Sequence, residues 1–224
     1  MNIADNLNLF KSELVGTGCR LIAVSKTKPE DMILKAYNSG HRIFGENKVQ
    51  DLVAKAQNLP SDIMWHMIGH LQRNKVKYVA PFVSMIHSVD SVRLLAEINK
   101  QAAKNERVID CLFQVHIAEE ETKFGLSSNE LLDMVKNPEL KDYENIRIVG
   151  LMGMATYTDD ELQIRKEFRF LSELFYKIQS EISAENIEMM ELSMGMTSDY
   201  KIAIEEGSTL IRIGTAIFGA RNYT

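Results

Sequence analysis

The chain has 224 residues, 45% of them hydrophobic, which suits one large domain, residues 1–224, and excludes a largely disordered chain. Its 26 basic and 31 acidic residues give a formal net charge of −5 without a basic tract, so nucleic acid is not an expected partner. Two cysteines without metal-type spacing, and no apolar segment that would span a bilayer, predict a cytoplasmic protein with no membrane partner.

An amphipathic pattern over residues 1–16 predicts an N-terminal helix that packs on the rest of the domain. Eight short runs with β character follow, and helical patterns separate them. The runs are residues 21–25, 42–45, 63–68, 83–88, 109–116, 147–152, 188–193 and 209–213.

Two helix starts carry the signature of a capping box, in which a hydroxyl and a carboxylate three residues later satisfy each other's backbone N–H groups. One pairs Ser127 with Glu130, and the other pairs Thr158 with Glu161. Both predict that a helix begins at the residue after the hydroxyl.

Strands alternating with helices in a chain of this size predict an α/β fold, a single (β/α)₈ TIM barrel with an extra N-terminal helix. An open doubly wound sheet is the main alternative. It would need a glycine-rich turn after the first strand to bind a dinucleotide, and Ser25 to Lys28 stand there instead. In barrels the chemistry gathers at the carboxyl ends of the strands.

Lys26 follows the apolar run Leu21 to Val24, so its amine lies at the carboxyl end of the first strand. Beside a dry pocket, the pKa of a lysine amine falls, and the free amine attacks aldehydes. A loop lysine that merely follows a strand is the alternative, and this segment alone leaves both open.

The loops after strands seven and eight are rich in glycine and hydroxyl side chains, as phosphate loops of barrels are. Glycine turns with helix-capping hydroxyls are the alternative for either loop. The candidate residues are Ser193, Gly195, Met196, Thr197, Gly214 and Thr215.

A Schiff-base lysine and a phosphate loop together would bind a small phosphorylated aldehyde, and pyridoxal 5'-phosphate (PLP) carries both an aldehyde and a phosphate group. Arg212, which ends strand eight, would then meet the pyridine nitrogen and keep it unprotonated, because a guanidinium does not give up its proton. A structural ion pair is the alternative role for Arg212.

A series of motifs runs in order from Lys26 to the C-terminus: LIAVSKTKP, FGENKVQ, WHMIGHLQRNK, HSVDS, KFGL, GLMGMAT, SMGMTSDY and GSTLIRIGTAIFGARNY. By these motifs the chain resembles the YggS-like PLP homeostasis family, also called the proline synthase co-transcribed family. The resemblance implies a barrel like the N-terminal domain of alanine racemase, a monomer, and PLP on Lys26.

The resemblance also implies roles for single residues. Asn47 would lie near the ring, Arg212 at the pyridine nitrogen, and four residues at the phosphate, which are Ser193, Gly195, Gly214 and Thr215. We add His66, Met196 and Thr197 to the predicted cofactor-binding residues. Thr197 stands where the family usually has serine, and it keeps a hydroxyl.

The resemblance implies a protein that holds and buffers PLP without an accepted reaction, and enzymes that need PLP are candidate partners. The alternative is a racemase of the alanine type, which needs a second base from a further β domain that we do not find after strand eight. A lysine-dependent aldolase ranks last, because no acid or base is assigned to Lys26.

We expect no metal site, although His66 and His70 are four residues apart, because Gly69 separates their local structures. His87 and His116 end strands, where a satisfied polar residue is the usual interpretation. Four lysines near the predicted barrel mouth are either solvated helix ends or a looser second site: Lys28, Lys48, Lys75 and Lys123.

Overall fold

The computed structural model describes residues 2–120, 124–182 and 184–220. Within these ranges eight parallel strands close into a barrel in chain order, and a helical segment follows each strand, so the predicted (β/α)₈ fold is confirmed. The strands are β1 Arg20–Val24, β2 Ile43–Glu46, β3 Met64–Met67, β4 Met85–Val89, β5 Ile109–Gln114, β6 Ile146–Met152, β7 Ile187–Ser193 and β8 Leu210–Ile213. The helices are α1 Ile3–Glu13, α2 Glu30–Asn38, α3 Val49–Asn58, α4 Val76–Val79, α5 Val92–Lys104, α6 Ser128–Val135, α7 Glu161–Glu181, α8 Tyr200–Glu205 and α9 Thr215–Phe218.

Alternation of side chains along the strands divides the hydrophobic residues into two cores. The larger core fills the space between the barrel and its helices. A smaller, separate cluster fills the barrel interior, which is therefore packed and not a pore. Its buried members are Ile22, Met85, Leu112, Val149, Met152 and Leu210.

The N-terminal helix α1 precedes the barrel and packs against α2 and α9. Asn2 caps it with a capping box, and Leu7 and Phe10 are buried on its inner face. The Phe10 ring meets the Tyr200 ring edge to face at 5.4 Å, and the Asn6 side chain donates to the Ile217 carbonyl. In the described part of the chain, no helix is long and apolar enough to cross a bilayer.

One predicted helix start is confirmed and the other is wrong. Ser127 and Glu130 form the expected capping box at the start of α6. Thr158 and Glu161 do not, because the carboxylate of Asp160 caps α7 by accepting from the first backbone N–H groups of the helix. Thr158 Oγ1 instead accepts from the Asp160 N–H, so the hydroxyl belongs to the turn before the helix.

The attachment of α1 can be tested with Leu7→Ala, which removes a side chain that is fully buried. We expect the free energy of unfolding to fall by about 2–5 kcal/mol, the usual cost of a cavity at a closed site. Leu9→Ala is the control, because Leu9 on the same helix is 48% exposed and should change stability by less than about 1 kcal/mol. Equal effects in urea denaturation would contradict the packing of α1.

Candidate functional site

Barrel closure brings the carboxyl ends of several strands into one continuous arc. Val24 of β1 lies opposite Gly45 of β2, which in turn lies opposite His66 of β3. On the other side, the backbone N–H of Arg212 in β8 donates to the backbone carbonyl of Gly195 at 2.9 Å. This bond holds the loop after β7 against β8. The predicted lysine, arginine and glycine loops therefore lie on neighbouring strands of the same barrel end.

Lys26 lies in a tight turn directly after β1 and is half-buried. The Lys28 N–H donates to the Ser25 carbonyl at 3.0 Å and closes the turn. Thr27, the third residue of the turn, has φ of +63°, in the left-handed region that β-branched residues seldom adopt. Such a conformation costs about 1–2 kcal/mol, so the surrounding packing must hold the turn around Lys26 in place.

A buried ion pair beneath this turn fixes the peptide that leads into Lys26. Lys55 Nζ of α3 lies 2.7 Å from Glu46 Oε1 and donates to the Ser25 carbonyl at 2.9 Å. Ser25 Oγ donates to the same carboxylate oxygen at 2.6 Å. Burial raises the pKa of Glu46, and the charge of Lys55 opposes that rise.

This pair was not predicted from the sequence. The available signal was the position of Lys55, which falls on the buried face of α3 with Val49 and Leu52. A lysine in an apolar stripe needs a buried partner, although the helix pattern does not identify which carboxylate supplies it.

Lys55→Met should lower the free energy of unfolding by about 3–5 kcal/mol, because it leaves the Glu46 carboxylate buried without its cation. Adding Glu46→Gln, which removes the charge and keeps an acceptor for Ser25, should recover at least half of that loss. The control is Lys35→Met, since the Lys35–Asp31 pair is more than 60% exposed on both sides and should matter by less than about 1 kcal/mol. Similar losses for both lysines in guanidinium denaturation would contradict the role of the buried pair.

Arg212 extends from β8 into the barrel mouth and is only 5% exposed. Its Nη1 donates to the carbonyl oxygen and to Oγ of Ser193 at 2.8 and 2.6 Å, and its Nη2 donates to the Gly153 carbonyl at 3.0 Å. Burial lowers the pKa of the guanidinium to about 10, which leaves it charged at neutral pH. No carboxylate of the described residues lies within ion-pair distance, so the alternative of a structural ion pair is not supported.

Two buried histidines continue from Ser193 across the interior. His87 Nδ1 lies 3.0 Å from Ser193 Oγ, and His87 Nε2 lies 2.9 Å from His66 Nδ1. Burial lowers the pKa of His66 to about 3 and that of His87 well below 6.5, and the charge of Arg212 lowers the latter further. Both rings are therefore neutral at pH 7.

From the sequence we predicted His66 as a cofactor-binding residue and interpreted His87 as a satisfied polar residue. The structure brings the two together with Ser193 and Arg212. His87 and Ser193 are 106 residues apart, so no local pattern signals their contact.

The glycine loops approach other backbone closely. Gly195 has φ of +94°, and a Cβ there would lie 2.6 Å from the Ala203 Cβ. Gly214 lies against β1, where a Cβ would sit 3.3 Å from the Val24 carbonyl oxygen. Thr197 and Thr215, which follow these glycines, are exposed, so their hydroxyls are accessible to a ligand.

The remaining predicted residues lie at the edge of the same barrel end. Asn47 is half-buried, and its Oδ1 is fully buried without a hydrogen-bond partner among the described residues. It lines a cavity of about 200 Å³ together with Lys48 and His70. The Met196 N–H donates to Asp199 Oδ1 at 2.5 Å, which shapes the loop after β7.

The two histidines considered as metal ligands have separate partners, and so does Lys28 among the lysines considered for a second site. His66 bonds to His87, whereas His70 Nδ1 lies 3.4 Å from Asp90 Oδ2, and the described ranges contain no cluster of three or more potential metal ligands. Lys28 Nζ donates to two carbonyls just after α9. Lys123 lies outside the described residues.

Acid should destabilise the protein through its buried neutral histidines. The pKa of His66 is lowered to about 3 and that of His41 to about 4, mainly by burial, so the unfolded chain binds their protons at a higher pH than the folded one. The stability that these rings provide is complete above about pH 6.5 and falls as pH decreases toward the folded values, by about 2 kcal/mol per ring at about pH 5. His41→Phe should reduce that loss by about 2 kcal/mol in urea denaturation at pH 5 and pH 7. An equal loss of stability between pH 7 and pH 5 in the wild-type protein and in His41→Phe would contradict the assignment of this acid sensitivity to His41.

The chain matches the family model described as "Alanine racemase, N-terminal domain" over residues 1–222. It is 41% identical over 210 residues to the pyridoxal phosphate homeostasis protein of Aquifex aeolicus, covering 93% of this chain and 90% of that one. The protein of the same name from Homo sapiens is 39% identical over 215 residues, covering 92% of this chain and 78% of the relative.

Solved structures give the same result. PipY of Synechococcus elongatus with PLP bound matches with a TM-score of 0.86 and 34% identity, over 97% of this chain and 100% of that one. Alanine racemase from Bartonella henselae shares the fold at a TM-score of 0.74 and 15% identity, over 99% of this chain and 60% of that one. The chain belongs to the alanine racemase N-terminal domain family and, within it, to the pyridoxal phosphate homeostasis proteins.

Proposed function

We propose that this protein binds PLP reversibly, as a Schiff base on Lys26, and serves to hold and buffer the cofactor. The observation that carries the proposal is that Lys26 and Arg212 belong to the neighbouring strands β1 and β8 at the same end of the barrel. A half-buried lysine in a rigid turn after β1 lies beside the strand that presents a buried, charged guanidinium with neutral acceptors. The relatives named for PLP homeostasis, and PipY with PLP bound, support the choice of ligand.

The residues around Lys26 fit PLP in three respects. Asn47 Oδ1 is buried without a hydrogen-bond partner among the described residues, and this amide would lie near the pyridine ring of PLP. Gly195 and Gly214 let the loops after β7 and β8 pack closely on Ala203 and Val24. The exposed hydroxyls of Thr197 and Thr215, with Met196 beside the first, are the proposed phosphate contacts. The guanidinium has N–H groups left for the pyridine nitrogen.

The proposed attachment is an ordinary condensation. The Lys26 amine attacks the aldehyde carbon, a C–N bond forms, and the aldehyde oxygen leaves as water while the C=N bond forms. The reaction reverses with water, which allows the cofactor to be released. Cofactor-dependent enzymes in the cytoplasm are the proposed recipients, and the protein is proposed to act as a monomer.

Arg212 favours storage over turnover. PLP catalysis uses the pyridine ring as an electron sink, and that role is strongest when the ring nitrogen is protonated. A guanidinium whose pKa is still about 10 donates a hydrogen bond without transferring its proton at neutral pH. The site would therefore bind PLP and support carbanion chemistry poorly beyond racemisation-type steps. The shared fold with alanine racemase, at 15% identity, makes racemisation the reaction to test against.

Lys26→Ala should abolish the visible absorbance band at about 420 nm that appears when the wild-type protein is mixed with PLP. Borohydride reduction followed by peptide mass spectrometry should place the cofactor on Lys26 in the wild-type protein. Lys28→Ala is the matched control, two residues along the same segment, and should keep the band. A wild-type protein that stays colourless, or a cofactor found on another lysine, would contradict the proposal.

Alanine supplied to the PLP-loaded protein should not racemise above the rate of free PLP, as measured by chiral chromatography. Racemisation that disappears in Lys26→Ala would assign the protein to the racemases instead.

A further inference from the structure

We propose that His87 and His66 are positioning residues for Arg212, joined to it through Ser193 in a hydrogen-bond chain whose direction the guanidinium imposes. This inference rests on the proposed function insofar as Arg212 meets the pyridine ring of PLP. The hydrogen-bond chain itself involves only side chains of this protein and no part of PLP. It also assigns Ser193 to the support of Arg212 and not to the phosphate, where the sequence resemblance had placed it.

The direction of the chain follows from the number of donors at each atom. A guanidinium can only donate, so Ser193 Oγ accepts from Arg212 Nη1 at 2.6 Å. The serine hydroxyl has one proton of its own, and the other described partner of Oγ is His87 Nδ1 at 3.0 Å. Ser193 is fully buried, so a proton directed elsewhere would lack an acceptor in the described chain. The hydroxyl therefore donates to His87 Nδ1.

The state of each imidazole follows in turn. A neutral ring that accepts at Nδ1 carries its proton on Nε2. The His87 Nε2–H then donates to His66 Nδ1 at 2.9 Å, which places the His66 proton on Nε2 as well. The opposite arrangement has both protons on Nδ1. It would make Ser193 Oγ accept from two donors and leave its hydroxyl proton unpaired in the interior.

The hydrogen-bond chain also fixes the orientation of Arg212. Nη1 is engaged twice by Ser193 and Nη2 once by the Gly153 carbonyl, which accounts for three of the five guanidinium N–H groups. The remaining two, on Nε and Nη2, have no hydrogen-bond partner among the described residues and are the proposed donors to a ligand. Removing His87 frees the Ser193 hydroxyl to turn, so the guanidinium loses a defined acceptor and the remaining donors lose their fixed direction.

The first experiment uses the wild-type protein without cofactor, with ¹⁵N-labelled histidine, at pH 7. Long-range ¹H–¹⁵N correlation spectra distinguish protonated from unprotonated ring nitrogens, and His66→Phe and His87→Phe assign the signals. We expect the proton on Nε2 in both rings. Protonation of Nδ1 in either ring, or an imidazolium, would overturn the direction of the chain. Ser193→Ala should let His87 populate both tautomers, and Ser193→Thr, which keeps the hydroxyl, should restore the single one.

The second experiment measures PLP affinity by absorbance titration. We expect His87→Phe to raise the dissociation constant at least about tenfold and to shift the absorbance maximum of the bound cofactor. His41→Phe is the control, because His41 is also a buried histidine but bonds to the Ile43 carbonyl and takes no part in the hydrogen-bond chain of Arg212. It should change the dissociation constant less than about twofold. Equal effects, or none in His87→Phe, would overturn the positioning role. Failure of the wild-type protein to bind PLP would overturn the proposed function and leave the tautomer result standing on its own.

Discussion

Closure of the barrel is the constraint on which the site depends. The parallel register of β1 with β2 and β8 fixes which strand ends are neighbours. It brings the turn of Lys26 next to the loop of Gly214 and within two strands of Gly195. Lys26 is far from both glycines in the chain, and without closure β8 would lie at the opposite edge of an open sheet from β1.

The second constraint is the handling of charge in the barrel mouth. Arg212 is buried with neutral acceptors, and a buried cation is costly unless its donors are satisfied. Ser193 and the neutral rings of His87 and His66 supply a hydrogen-bonded network instead of a carboxylate. Asp199 stabilises the guanidinium charge from beyond ion-pair distance, whereas the Lys55–Glu46 pair is a direct buried contact that serves structure.

The same barrel carries several chemistries, so the fold does not determine catalysis. What distinguishes proteins on this scaffold is the set of groups that meets the ligand. In this chain the proposed groups are a lysine anchor and an arginine donor, and the proposed storage role draws support from the reluctance of that arginine to release a proton.

Three features could be predicted from the amino-acid sequence: the alternation of strands and helices, the place of Lys26 after the first strand, and the glycine loops after the last two. They could be predicted because hydrophobic period, turn residues and strand order are local. The position of Arg212 at a strand end was predictable for the same reason. Which side chains meet at that end depends on the folded barrel. The contact of His87 with Ser193 spans 106 residues, and the hidden pairing of Lys55 with Glu46 joins a helix to a strand end. Such contacts depend on register and barrel closure, which no short segment encodes. Ser193 illustrates this, because its sequence context predicted a phosphate loop, whereas its hydroxyl lies between Arg212 and His87 in the structure.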